Sequence, residues 1–389
     1  MTNHTGAPLT ASDILPLDEN ALLIGRVWRK DVDGPSPVLV DGLSLRDLSG
    51  LALTTSQLLE LPDLAVTLTD MNRFPVIGTL DDFISGKAGS LLAPCDLQAV
   101  KAAGVTFADS MVERVIEEQA KGDPARAEEI RGKLKPIIGE NLKGVQAGSE
   151  QAAEVKRLLQ DLDLWSQYLE VGIGPDAEVF TKALPMSSVG CGAEVGIHPI
   201  SDWNNPEPEV VLAIRSDSTI VGATLGNDVN LRDVEGRSAL LLGKAKDNNA
   251  SCAIGPFIRL FDANFTLEDV GKIEVSLKVT GESDGFEMEG VSQMSAISRS
   301  PADLASQTLN IHHQYPDGAM LFLGTMFAPV KDRRAPGQGF THEIGDQVNI
   351  SSPALGTLVN WVDHTNAIAP WTFGTAALFT NLAKRGLLS

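Results

Sequence analysis

Basic runs, disulfide spacing and long apolar stretches are all missing from this 389-residue sequence, and each absence removes a class of function. Lysine and arginine total 31 against 51 acidic residues, a formal charge of −20, and the cations nowhere form a run. Nucleic-acid binding draws its affinity from clustered Lys and Arg on phosphates, so no nucleic-acid partner is expected. Only three cysteines occur, Cys95, Cys191 and Cys252, an odd number without CxxC spacing. That excludes a disulfide framework and a zinc knuckle, suits a reducing compartment, and leaves all three as core thiols. No uninterrupted apolar run reaches the ~18 residues that a membrane helix needs, and Met1–Asp13 lacks a basic region followed by an apolar stretch. No membrane partner and a cytoplasmic location are the resulting expectations. Internal repeats and low-complexity segments are absent too.

What is present is an ordinary globular composition, 43% hydrophobic and 21% charged, which provides a sizeable core. The length suits one large domain with an appendage, at roughly 100–200 residues per domain. Residues 1–95 hold short apolar runs such as Ala21–Val27 and Val38–Val40 between Gly and Pro, which predicts a small strand-rich N-terminal domain. From about 110 to 168 apolar residues recur three and four apart among charges, as in MVERVIEEQA and AAEVKRLLQDLDLW. This spacing predicts a helical block, broken at Gly122-Asp123-Pro124 and across 136–148. Beyond residue 170 the period becomes two, clearest in Ile273–Val279, while Val210–Ile214 and Ala319–Leu323 read as buried strands. The fold class expected is α+β, with a mainly β catalytic domain over 96–389.

The densest chemistry lies in Trp203-Asn-Asn-Pro-Glu-Pro-Glu-Val-Val-Leu212. Alternate side chains of an extended chain share a face, so Glu207 and Glu209 can point at one ion. The flanking prolines remove N–H donors and place the segment at a rim or opening. Two solvated carboxylates on an edge strand are the bland alternative, given how often Glu is exposed. Asp228, after a Gly-containing turn in Gly222–Asp233, supplies a third oxygen and completes the all-carboxylate set that hard cations prefer to zinc. Without a cation three such groups would repel one another.

The order ExE, then Gly-x-Asn-Asp-Val-x-x-Arg-Asp, then Lys246 nine residues before Gly255-Pro256, then Leu323-Gly324-Thr325 after an apolar strand, resembles the fumarylacetoacetate hydrolase superfamily over about residues 100–389. The resemblance implies a mixed β-sandwich roll and a homodimer, or a tetramer. It also implies Mg²⁺ held by Glu207, Glu209 and Asp228, with Mn²⁺ or Ca²⁺ as alternatives. Lys246 takes the place of the family's active-site lysine and Thr325, beside Gly324, that of the substrate-carboxylate threonine. Lys182 and His198 are further substrate-binding candidates. From the residues alone, Lys246 or Lys244 could equally be a surface cation.

Hydrolases of the family carry a histidine and glutamate that activate water, and the matching stretch here, Gly104–Glu113, has Ser110 where the histidine stands. Serine has no group titrating near neutrality and cannot be that base. Glu113 is then as readily structural as functional. The elements Trp165–Val171, Asp176–Lys182, His198–Glu209, Lys246–Cys252 and Pro336–His342 resemble the family's 2-keto-3-deoxypentonate dehydratases of oxidative pentose degradation. That resemblance implies a lyase forming α-ketoglutarate semialdehyde (2,5-dioxopentanoate) from a 2-keto-3-deoxy-D-pentonate of the D-xylonate or D-arabinonate type, with Glu178 as acid/base. The alternative for Glu178 is a salt bridge to Lys182. The alternative for the whole chain is a C–C hydrolase of an acylpyruvate or fumarylacetoacetate-like diketo acid. His312, His313 and His342 read as structural residues, and 331–340 as a flap or a solvated loop.

Overall fold

The computed structural model describes residues 8–388 except 122, 143 and 328, with the side chains of 109 and 133–141 also left aside. The chain is α+β. One mixed sheet of eleven strands runs from edge to edge as Val76–Thr79, Ser44–Asp47, Gly34–Asp41, Leu23–Arg29, Cys252–Leu260, Ile220–Asp228, Pro208–Ile214, Ala319–Phe322, Ala99–Ala103 and Val179–Ala183. Gly89–Leu92 joins it off this path by pairing with Leu23–Arg29. The strands before residue 95 thus continue the same sheet through Leu23↔Arg259 and Ile24↔Ile258. A second sheet of five strands is ordered Glu287–Gln293, Glu274–Thr280, Gln347–Ser352, Gly356–His364, Glu194–Ile197.

The apolar run Val210–Ile214 has no polar side because both of its faces are covered. Val210, Leu212 and Ile214 enter the core between the two sheets, whereas Val211 and Ala213 enter the core on the opposite face. A strand buried twice reads as a continuous hydrophobic stretch. Glu274–Thr280 is covered once, so it alternates: Val275, Leu277 and Val279 are buried between polar neighbours.

The expected helical block is present as Ala108–Ala120, Pro124–Leu142, Glu150–Asp161 and Gln167–Ile173. Its break at 122–124 lies where Asp123 Oδ1 accepts from Ala125 N (3.0 Å) and Pro124 opens the next helix. The second expected break, across 136–148, falls between Leu142 and Glu150: the helix runs on through Pro136, where a missing N–H and a crowding ring favour a stop. Ala127 and Leu142, on either side, are buried in one core with Val115, Ile116 and Leu159, so packing holds both halves in line. Trp203, from the segment leading to Glu207, is buried in that same core and fixes the block beside the acidic strand. Among the described residues, no helix is long and apolar enough to cross a membrane.

Candidate active site

Glu209 opposes Gly226 and Pro208 opposes Asn227 in an antiparallel ladder, which the Asp228 N–H extends by donating to Glu207 O at 3.0 Å. Glu207 and Glu209 share a face by alternation, and Asp228 comes up beside them from the facing strand. All three are buried, and a carboxylate oxygen from each lies within 4.8 Å of the other two. Pro208 is the first residue of its strand, a position where a missing donor costs the ladder little. The opening that the prolines predicted is covered in this fold by the Ala108–Ala120 helix, whose Arg114 Nη2 donates to Glu207 Oε1.

Burial alone would protonate these acids, so what faces each one decides its state. Burial works to raise Glu207, but the Lys246 ammonium and then the Arg114 guanidinium overcome it and lower the carboxyl to about 2. Lys246 Nζ donates to Glu207 Oε2 and to Asp228 Oδ2 (3.0 Å). Burial opposes the Lys246 charge, yet Asp228, Glu207 and Glu235 raise its pKa above the usual lysine value. Glu209 is pushed well above the carboxylate range by burial and then by Asp228 and Glu207, and among the described residues no side-chain cation is hydrogen-bonded to it. It accepts from Gly324 N (2.7 Å) and, at 3.3 Å, from Thr325 Oγ1. Gly324 has φ +101°, and a Cβ there would lie 2.0 Å from Thr106 Oγ1, so only glycine brings this N–H so close. The donor set is all oxygen and fits a hard divalent cation.

Lys182 is fully buried behind Asp228, pairing with Oδ1 at 2.8 Å and donating to Val229 O (3.2 Å) and Lys246 O. Ion-paired with Asp228 and donating to two backbone carbonyls, it orients Asp228, and among the described residues it forms no salt bridge to Glu178, the alternative weighed from the sequence. Glu178 packs against Gly104, where a Cβ would fall 1.9 Å from Glu178 Oε2. Desolvation, and then Glu235, push its carboxyl up to about 7 against the pull of Arg114 and Lys246. His198 Nδ1 accepts from Ile200 N at 3.2 Å and has no described contact with the acidic triad.

Ser110 is buried and donates to Phe107 O at 2.8 Å. Glu113 accepts from Arg131 through Nε (2.9 Å) and Nη2 (2.8 Å), and from Arg232 Nη2 at 3.3 Å. His312 and His313 are exposed, and His342 Nδ1 is 2.9 Å from Asp346 Oδ2. The 331–340 loop is tied by its own contacts, with Asp332 accepting from Gly337 N (2.8 Å) and Gly339 N (2.7 Å) and Arg333 bridging Asp284 and Asp346.

Sequence reasoning passed over Arg114 and Glu235. Arg114 pairs with Glu117 (2.6 Å), Glu235 (2.8 Å) and Glu207 at once. The one signal was a charged Glu113, Arg114 and Glu117 on a helix whose neighbours Met111, Val112 and Val115 are core residues. Such charges belong under a partner that compensates them.

Two curated relatives are similar to the chain in sequence. The chain is 34% identical over 216 residues, 55% of its length and 68% of the other's, to a protein of Haloferax volcanii named probable 2-keto-3-deoxyxylonate dehydratase. It is 31% identical over 182 residues, 47% of its length, to the 2-dehydro-3-deoxy-D-arabinonate dehydratase of Saccharolobus solfataricus, spanning 57% of that protein. The chain belongs to the fumarylacetoacetate hydrolase superfamily. Within it the chain falls in the sugar-acid dehydratase branch and is accordingly a carbon–oxygen lyase. No protein-family model matches it. The superfamily fold is shared with a solved 2-keto-3-deoxy-D-arabinonate dehydratase complexed with magnesium and 2,5-dioxopentanoate (TM-score 0.58, 19% identity, 88% of this chain and 99% of that one). A fumarylacetoacetate hydrolase from Exiguobacterium antarcticum also shares it (TM-score 0.55, 14% identity, 88% and 100%).

Proposed function

We propose that this superfamily member is a Mg²⁺-dependent dehydratase that converts a 2-keto-3-deoxy-D-pentonate, of the D-xylonate or D-arabinonate type, into 2,5-dioxopentanoate. The observation that carries the reading is a buried acidic triad in electrostatic reach of Glu178, a carboxyl raised to about 7; Ser110, standing where the resemblance puts the hydrolytic histidine, supports it. Glu207, Glu209 and Asp228 would hold the ion, which supplies positive charge to the adjoining keto and carboxylate oxygens of the substrate. Gly324 and Thr325, which donate to Glu209, would seat the substrate carboxylate, as the family resemblance implies.

Glu178 then takes a proton from C3, and Lys246 places its ammonium against the negative charge that develops on the keto oxygen. Hydroxide is a poor leaving group, so the C4 oxygen departs as water with the proton that Glu178 returns. A carboxyl titrating near neutrality suits both transfers. A proton shift from C5 to C3 then gives the C4–C5 enol, and transfer of the enol hydroxyl proton to C4 yields the aldehyde. Lys182 and Arg114 do no chemistry of their own in this scheme; they fix Asp228 and Glu207. The working setting is a homodimer in the cytoplasm, as the family resemblance implies.

The test incubates purified protein and Mg²⁺ with synthetic 2-keto-3-deoxy-D-xylonate and -arabinonate and with acetylpyruvate, following products by mass. Loss of one water from a sugar acid is expected. Cleavage of acetylpyruvate without that loss would replace the lyase by the hydrolase.

A further inference from the structure

We propose that Asn205 and Asn230 form a paired-amide subsite for the hydroxyl-bearing end of the substrate; this rests on the dehydratase reading above. The pair belongs to the same ladder as the triad. Glu209 opposes Gly226, Pro208 opposes Asn227, Glu207 O accepts from Asp228 N, Asn205 opposes Asn230 and Asn204 opposes Leu231. Every residue number and its partner's add to the same total, so the register passes without a bulge from the long hairpin into the short Asn204–Asn205 and Asn230–Leu231 strands. Side chains two apart share a face. One face therefore presents, in succession, Glu209 beside Gly226, Glu207 beside Asp228, and Asn205 beside Asn230.

Both asparagines are wholly buried and under-satisfied. Among the described residues, Asn230 Oδ1 and Nδ2 and Asn205 Oδ1 have no hydrogen-bond partner, and Asn205 Nδ2 alone is engaged, donating to Pro206 O at 2.9 Å. Their neighbour Asn204, on the other face, has both ends used: Nδ2 donates to Ser201 O (3.3 Å) and Oδ1 accepts from His342 N (3.3 Å). Buried amides left open in this way require a partner that the protein does not supply. A hydroxyl, at once donor and acceptor, matches an open amide N–H₂ beside two open carbonyl oxygens.

Position selects the hydroxylated end. Gly324 and Thr325 engage Glu209, on one side of the Glu207–Asp228 rung, and the amide pair lies on the other side of it. It is two residues, or about 6–7 Å, beyond the Glu207–Asp228 rung. A five-carbon acid with its carboxylate near Thr325 and its keto oxygen at the triad runs its far end toward Asn205 and Asn230.

The experiment compares wild type with Asn230→Leu, which keeps side-chain size and removes both polar atoms. Measured are kcat and KM for the 2-keto-3-deoxypentonate, and the affinity for pyruvate with Mg²⁺ by calorimetry. Pyruvate has the keto-acid grip and no hydroxyl. The expected result is a KM raised on the order of tenfold, what one lost hydrogen bond costs, with pyruvate affinity within twofold of wild type. Asn205→Ala, which adds no volume, carries the same comparison should Asn230→Leu fail to fold. Equal weakening of both ligands, or an unchanged KM, overturns the subsite and leaves a water-filled structural pair. A wild type that binds pyruvate but dehydrates no pentonate overturns the proposed function itself, and the substrate assignment of the pair with it.

Discussion

Glu178 holds its proton up to about pH 7 because desolvation and Glu235 disfavour its charge more than Arg114 and Lys246 favour it. Two consequences can be measured. Glu178→Gln should lower kcat by roughly 10²–10⁴-fold, the usual worth of a positioned acid/base, and should remove a kcat inflection near pH 7 present in wild type. The second concerns folding. A carboxyl raised from 4.5 to about 7 binds its proton more tightly when folded, so its contribution is complete below 4.5 and is lost as pH rises to about 7. In metal-free protein, Glu178→Gln should therefore melt above wild type at pH 8, by roughly 2–4 °C, and lose that advantage at pH 4. A melting difference that does not change with pH would contradict the raised carboxyl.

At the scale of elements, the Ala108–Ala120 helix matters through a buried ion network as much as through its apolar face. Arg114 compensates Glu117, Glu207 and Glu235, and Arg232 compensates Glu113 and Glu117 while lying over the Trp203 ring at 4.4 Å. Deleting one partner of a buried pair strands the others, so Arg114→Met should destabilise the protein by about 3–5 kcal/mol. Urea unfolding in the presence of a chelator reads this directly, and a change within ~0.5 kcal/mol would show that the network is not a structural tie. The helices themselves were legible, since an apolar residue every third or fourth position is a local property of the chain. Their continuation through Pro136 was not, because that depends on Ala127 and Leu142 sharing a core with residues from other helices.

At the scale of the molecule, ion binding and folding are linked, because Glu209 is held at a cost that a cation removes. Added Mg²⁺ should raise the melting temperature of chelator-stripped protein, with a stabilisation of ~2.7 kcal/mol once the ion stands at a hundred times its Kd. Glu207→Gln should abolish both that rise and turnover, which calorimetry and the product assay report separately. A melting rise retained in Glu207→Gln would move the ion site elsewhere.

The common face of Glu207 and Glu209 follows from the sequence by itself, since two-residue alternation is built into any extended chain. That Ser110 cannot act as a base near neutrality is likewise a matter of side-chain chemistry, and the resemblance implies that a hydrolytic histidine would stand there. Three outcomes needed the tertiary structure: Asp228 opposite Glu207, the covering of that rung by Arg114, and the enclosure of Lys182 behind Asp228. The reason is range. Strand register is set by long-distance pairing, and the charge state of buried Glu207 is set by the cations that the folded chain brings next to it, Lys246 from 39 residues away and Arg114 from 93, numbered along the chain.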